Sequence, residues 1–141
     1  MSDSFHFLVK GQPVSFRANR EAVQRWRRKV AEAARKRAGG FPPDDKVCIS
    51  ITHFYHAPPR GDADNISKTI CDALTNVVYD DDRQITECIY SRVPLYRPIW
   101  LRGMPKELAV TLCDNHECVF VRIVSAQRTP WAFTRVHFMC A

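Results

Sequence analysis

From Ala18 to Ala38 the apolar residues Ala22, Val23, Trp26, Val30, Ala33 and Ala34 recur at steps of three or four among Arg, Lys, Glu and Gln. That is the period of an amphipathic helix, whose single apolar stripe has to be buried against another layer. Gly39-Gly40 stops the pattern and Pro42-Pro43 keeps the following loop extended. The neighbouring segments can supply the second layer. Phe5 to Val9 is a short apolar run closed by Gly11-Gln12-Pro13, and Lys46 to His56 alternates and is rich in Val, Ile and aromatics. A second helical pattern runs from about Asn65 to Asn76, with Asp64 placed as its N-cap and Ile66, Ile70, Ala73, Leu74 and Val77 on its apolar face. Gln84 to Val93 predicts a third strand, followed by a proline-punctuated loop from Pro94 to Pro105. Leu108 to Leu112 and Cys118 to Val124 predict a last pair of strands around the Asp114-Asn115 turn. The order β-α-β-α-β-β-β predicts an α+β domain, a mixed sheet with two main helices packed on one face.

At 141 residues the chain suits one domain. The expected core is about 4–125, and the apolar tail 126–141 has no place in the pattern. No stretch approaches the roughly 20 apolar residues of a membrane helix. Met1 to His6 has no basic run before an apolar core, so no secretory leader is expected there. An aromatic fraction of 11% and recurrent apolar runs exclude disorder. The six cysteines form no CxxC pair, and Cys48, Cys71 and Cys88 fall in apolar patterns, as small buried hydrophobes in a reducing compartment would. Cys113, His116 and Cys118, with His137, could be read as a zinc site, but the spacing is not a common one and Asp114-Asn115 is ordinary turn chemistry.

The net charge of +6 is unevenly placed. Between Arg17 and Arg37 nine basic residues face only Glu21 and Glu32, a local charge of +7. From Asp62 to Glu87 seven carboxylates face Lys68 and Arg83, a local charge of −5. A basic surface beside a tight carboxylate cluster is what a metal-dependent enzyme acting on a polyanion needs. A solvated basic helix and an acidic loop with no common purpose would give the same count.

Asp62 and Asp64 stand two apart in what the pattern gives as extended chain, so both side chains are expected on one side. Asp82 opens the next strand after a single helix, and the expectation is that the helix returns it to the same end. Three converging carboxylates suit Mg²⁺ or Mn²⁺. Such a metal activates water and stabilises charge on a phosphodiester. Lys68, one turn from Asp64, is placed to stabilise the transition state, and Asp64, Lys68 and Asp72 share a helix face. EF-hand registers counted from Asp62 or Asp80 put Ser67 or Ile85 at the glycine position and Ala73 or Ser91 at the glutamate position, so both fail. No local nucleophile motif accompanies the five histidines. Singly, each aspartate also has a structural reading: Asp64 as a cap, Asp80 and Asp81 as turn residues, Asp72 as the partner of Lys68.

The run Arg60 to Lys68, then Cys71-Asp72-Ala73-Leu74, then Val78 to Ile85, resembles the RusA family of Holliday-junction resolvases. That family's pattern is D-x-D-N-x-x-K-x-x-x-D-A-L followed by D-D-x-Q. Gln12-Pro13-Val14-Ser15 with Trp26 in the next helix is similar to a weaker N-terminal feature of many members. The resemblance implies a RusA-like fold and a homodimeric, Mg²⁺-dependent endonuclease that resolves four-way DNA junctions by paired symmetric nicks, in recombination and repair. It further implies a cytoplasmic, nucleoid-associated protein of bacterial or prophage origin. Carried over residue by residue, it implies Asp62, Asp64 and Asp82 as the catalytic, metal-holding aspartates and Lys68 as the catalytic lysine, with Asn65, Asp72 and Asp81 in support. Asp80 is extra, and many members carry glycine where this chain has Asn76. The basic helix, through Arg17, Arg20, Arg25, Arg27, Arg28 and Lys29, is expected to hold DNA phosphates without reading bases. The rivals are a non-catalytic DNA-binding protein and a nuclease for flaps or other branched DNA.

Overall fold

The two apolar periods of the sequence become two layers. The computed structural model describes residues 4–41, 46–100, 102–126 and 139–140. In chain order the elements are β1 (Ser4–Lys10), α1 (Arg20–Arg35), β2 (Val47–Tyr55), α2 (Ala63–Leu74), a 3₁₀ turn (Asp82–Gln84), β3 (Ile85–Pro94), β4 (Ile99–Trp100), α3 (Lys106–Cys113), β5 (Cys118–Ser125) and β6 (Met139–Cys140). Four strands form a sheet in the order β1-β5-β2-β3. β5 runs antiparallel to both neighbours, and β2 pairs parallel with β3, Val47 beside Ile85 and Tyr55 beside Pro94. The mixed sheet and the α+β class follow the sequence pattern.

Period two in the strands and period 3.6 in the helices place their apolar residues on facing surfaces. Phe7, Val9, Ile49, Ile51, Val119, Val121 and Ile123 project from one sheet face onto Trp26, Val30 and Ala34 of α1 and Ile66, Ile70 and Leu74 of α2. Asn19 caps α1 by accepting the Glu21 N–H at 2.8 Å. The buried stripe includes Ala31, while Ala22 and Ala33 are only half-buried. Trp26 is 4% exposed and is the largest side chain of the α1 stripe, so truncation to Ala would destabilise by about 3–5 kcal/mol.

One element differs from expectation. Residues 108–112 lie within helix α3, not in a strand, and Leu108 packs on the other sheet face with Phe54, Val93, Cys118 and Phe120. The apolar run Leu-Ala-Val-Thr-Leu hides the helical period, because α3 buries only Leu108 and Thr111 and leaves Val110 exposed. The loop expected over 94–105 holds the short strand β4, paired with β6 from the otherwise undescribed tail. After α2 the chain turns through Asn76 at φ +65, a left-handed conformation that glycine adopts freely and asparagine tolerates. Asn76 is therefore a workable replacement for the family's glycine.

Candidate active site

The aspartate-rich segment begins where β2 gives way to α2. Gly61, at φ +101, turns the chain, and the Ile66 N–H donates to the Asp62 carbonyl at 3.1 Å to close the first helical turn. The helix starts about two residues earlier than the pattern suggests, so Asp62, not Asp64, occupies the N-cap position. Asp64 lies inside the first turn, and the expectation of an extended Asp62–Asp64 pair does not hold. Alanine at position 63 is a good helix former and carries the helix back to Asp62.

An N-cap aspartate usually accepts a backbone N–H from the first turn, but the Asp62 side chain makes no such bond. Asp62 and Asp64 are both exposed, and among the described residues neither carboxylate has a hydrogen bond or ion pair. Two exposed, unpartnered carboxylates supply hard oxygen donors of the kind that a divalent cation such as Mg²⁺ or Mn²⁺ takes.

Lys68 stands one turn further along α2. Its ammonium is 3.6 Å from Asp72 Oδ2 and 5.1 Å from the centroid of the Phe16 ring. Asp72 also faces Arg27 of α1 at 3.7 Å, so one carboxylate bridges the two helices and fixes the lysine. Asn65 contributes its carbonyl, which accepts the Phe16 N–H at 2.9 Å. Lys68 and Asp72 thus lie side by side on α2, and Asn65 stands in the first turn of the same helix.

Asp82 is not gathered with them. β2 and β3 are parallel, so the chain leaves β2 at one end of the sheet, descends through α2 and enters β3 at the other end. Twelve helical residues separate the two ends by about 18 Å. A strand–helix–strand unit cannot return Asp82 to the end that holds Asp62, and the expected convergence within one chain is wrong on that ground. In agreement, no three His, Cys, Asp or Glu side chains stand close enough to hold a metal among the described residues. Asp81 and Gln84 shape the turn at that far end. Gln84 Oε1 accepts the N–H groups of Asp80 and Asp81 at 2.9 and 3.0 Å, and Asp81 Oδ1 accepts the Arg83 N–H at 2.9 Å. That last bond, with the neighbouring Asp82 side chain, holds the Asp81 carboxyl below the usual carboxylate range. Asp82 itself is exposed.

Of the basic residues, Arg17, Arg20, Arg25 and Arg28 are exposed, and their side chains have no partner among the described residues. Arg27 is half-buried and engaged with Asp72, and Lys29 donates to the carbonyl of Lys10 at the end of β1. The helix therefore offers fewer free cations than its sequence suggests.

Several residues near this end were not singled out as site residues by sequence. Arg92 of β3 donates from Nη2 to the Gly61 carbonyl at 2.9 Å. His53, fully buried, faces Glu117 Oε1 through Nε2 at 3.0 Å, and Gln12 Nε2 donates to Glu117 Oε2 at 3.2 Å. Burial lowers the His53 pKa, and Glu117 opposes that shift. Only the Gln12-Pro13-Val14-Ser15 motif hinted at this cluster.

Among the described residues no three His, Cys, Asp or Glu side chains stand close enough to hold a zinc ion, and His137 of the zinc reading lies outside them; Cys113 is exposed and Cys118 buried, its thiol pushed up to about 12 by burial. Nor are the cysteines uniformly buried. Cys88 is exposed on the edge strand β3, with its sulfur 3.9 Å from that of half-buried Cys71. A cavity of about 480 Å³ lined by His6, Arg37, Met104, Phe120 and Arg122 lies on the α3 side of the sheet and does not include the carboxylates.

Residues 15–98, more than half of the chain, match the family described as Endodeoxyribonuclease RusA. The chain belongs to the RusA family. The matched range runs from Ser15 through the basic helix, the Asp62–Asp72 segment, the Asp81–Gln84 turn and β3 to the residue before β4. RusA membership makes the protein an endodeoxyribonuclease of a family that acts on Holliday junctions. No curated protein matches the chain. No helix of this RusA-family chain is long and apolar enough to cross a membrane, among the described residues.

Proposed function

We propose that the protein is a Mg²⁺-dependent homodimeric endonuclease that resolves four-way DNA junctions by paired, symmetric nicks, in recombination and repair. Mn²⁺ is the alternative metal. The observation that carries this reading is the pair of exposed, unpartnered carboxylates Asp62 and Asp64 at the start of α2, one turn from a fixed lysine, inside the RusA-matched segment. A metal bound there would activate water and offset charge developing on the phosphodiester.

Asp62 and Asp64 hold the metal, and Lys68 stabilises negative charge on the phosphoryl oxygens. Asp72 sets the lysine's direction, and the Asn65 carbonyl ties α2 to the loop before α1. Asp82, about 18 Å away along α2 in its own chain, takes part through a second copy. In a twofold pair the far end of one α2 can lie beside the near end of the other, so each site would take Asp62 and Asp64 from one chain and Asp82 from its partner. A twofold enzyme also suits a substrate cut in two symmetry-related strands. Arg17, Arg20, Arg25 and Arg28 hold backbone phosphates.

A non-catalytic DNA-binding protein and a flap nuclease are the competing readings. Asp64→Asn should abolish nicking of a four-way junction in Mg²⁺ while leaving binding intact. Undiminished cleavage would remove Asp64 from the metal site, and preference for a flap over the junction would reassign the substrate.

A further inference from the structure

The loop between β1 and α1 is fixed along its length. The Gly11 N–H donates to the Glu117 carbonyl at 2.8 Å, Thr69 Oγ1 donates to the Val14 carbonyl at 2.8 Å, and the Phe16 N–H donates to the Asn65 carbonyl at 2.9 Å. Ser15 lies so close to Gly61 that a Cβ there would stand 2.8 Å from the Ser15 Cβ. A loop tied in this way holds its large apolar side chain outward, and Phe16 is 47% exposed. Its backbone touches the residue after Asp64, and its ring meets the ammonium of Lys68 at 5.1 Å. On the other flank of Ser15, a cavity of about 400 Å³ is lined by Pro13, Val14 and Arg17 on one side and by Pro59, Arg60 and Gly61 on the other. Arg17 and Arg60 are exposed, and neither side chain has a partner among the described residues.

A rigid exposed ring beside free guanidinium groups is the combination that holds unpaired nucleotides, the ring stacking on the base and the cations meeting the phosphates. We propose that this loop is a subsite for one unstacked nucleotide next to the scissile phosphate, with Phe16 against the base and Arg17 and Arg60 against the phosphates. The proposal rests on the junction-nuclease reading and deepens it. In linear duplex every base face is already stacked, whereas opening a branch point exposes base faces. Phe16 is therefore a specificity-determining residue that favours branched over linear DNA.

The test compares the wild type with Phe16→Ala, Phe16→Leu and Phe16→Trp on a four-way junction and on linear duplex in Mg²⁺. A parallel measurement follows the emission of 2-aminopurine placed at the branch point, with each Phe16 variant in the Asp64→Asn chain. Loss of stacking should lower junction cleavage by ~10- to 100-fold in the Ala and Leu variants and remove the quenching of 2-aminopurine, while Trp keeps both. Because the ring is exposed, all three should melt as the wild type does. Wild-type cleavage and quenching in Phe16→Leu would overturn the proposal, since leucine is apolar but cannot stack. If the wild type itself fails to cut the junction, the nuclease reading falls, and the quenching difference between Phe16 and Leu still decides the subsite.

Discussion

Replacing Gly61 by alanine probes the junction between backbone and site most sharply. Gly61 has φ +101, where an L-residue is strained by roughly 1–2 kcal/mol. Its new Cβ would also lie 2.8 Å from Ser15 Cβ and 3.0 Å from Ser15 Oγ, distances that force the Ser15 loop or the start of α2 to move. With the Arg92 bond to the Gly61 carbonyl resisting that movement, the total comes to about 2–4 kcal/mol. For a domain of this size that lowers Tm by roughly 6–12 °C. Asp62 is the next residue, and a displacement of about 1 Å beside the reacting atoms can cost ~100-fold in rate. Activity should therefore fall well below what the folded fraction explains. Ser15→Gly removes the opposing atoms, so Gly61→Ala with Ser15→Gly should recover the steric part but not the backbone strain, a coupling of about 1–2 kcal/mol. Thermal melts by circular dichroism and initial rates on a four-way junction measure both effects. A Gly61→Ala Tm within about 2 °C of wild type, or strict additivity with Ser15→Gly, would refute the reasoning.

Two further outcomes are expected. Arg25→Ala with Arg28→Ala removes two exposed, unpartnered cations of α1 from each chain, four in the proposed dimer, so the slope of log binding constant against log salt should shrink by about 3.6; an unchanged slope would take α1 out of the DNA interface. His53 is held below the usual histidine range by burial, so the unfolded chain binds the extra proton and stability rises with pH up to about 6.5 and is lost on acidification. His53→Gln should flatten that dependence in Tm measured from about pH 5 to 7, beyond what half-buried His6, shifted the same way, leaves behind; an undiminished slope would show that His53 does not carry it.

The sheet, α1 and the apolar face of α2 were legible in the sequence because their periods are strong and their apolar residues are buried as the periods require. Residues 108–112 misled because a five-residue run rich in apolar side chains has no resolvable period, and only the burial of Leu108 and Thr111 reveals a helix. The misplacement of Asp82 was topological. Sequence spacing gives the length of a crossover, whereas the end of the sheet it reaches depends on the parallel pairing of Val47 with Ile85, which spacing alone does not state. His53 and Glu117, 64 residues apart, meet only because β2 and β5 are neighbours. Phe16 carries no signal in the sequence, and its exposure follows from the bonds that pin the loop. The Asp62–Asp64 pair stood out in the sequence because its spacing is that of the RusA pattern.

In the proposed enzyme each active site is shared by two chains. Asp64→Asn and Asp82→Asn, each inactive alone, should regain junction nicking when the two chains are mixed under conditions that exchange subunits. A mixed dimer then has one site with both substitutions and one with none, and random exchange restores roughly a quarter of the wild-type sites. Each mixed dimer nicks a single strand, visible as nicked rather than resolved product. A mixture that stays inert while mixed dimers form would contradict the shared site, and full cleavage by Asp82→Asn alone would remove Asp82 from catalysis.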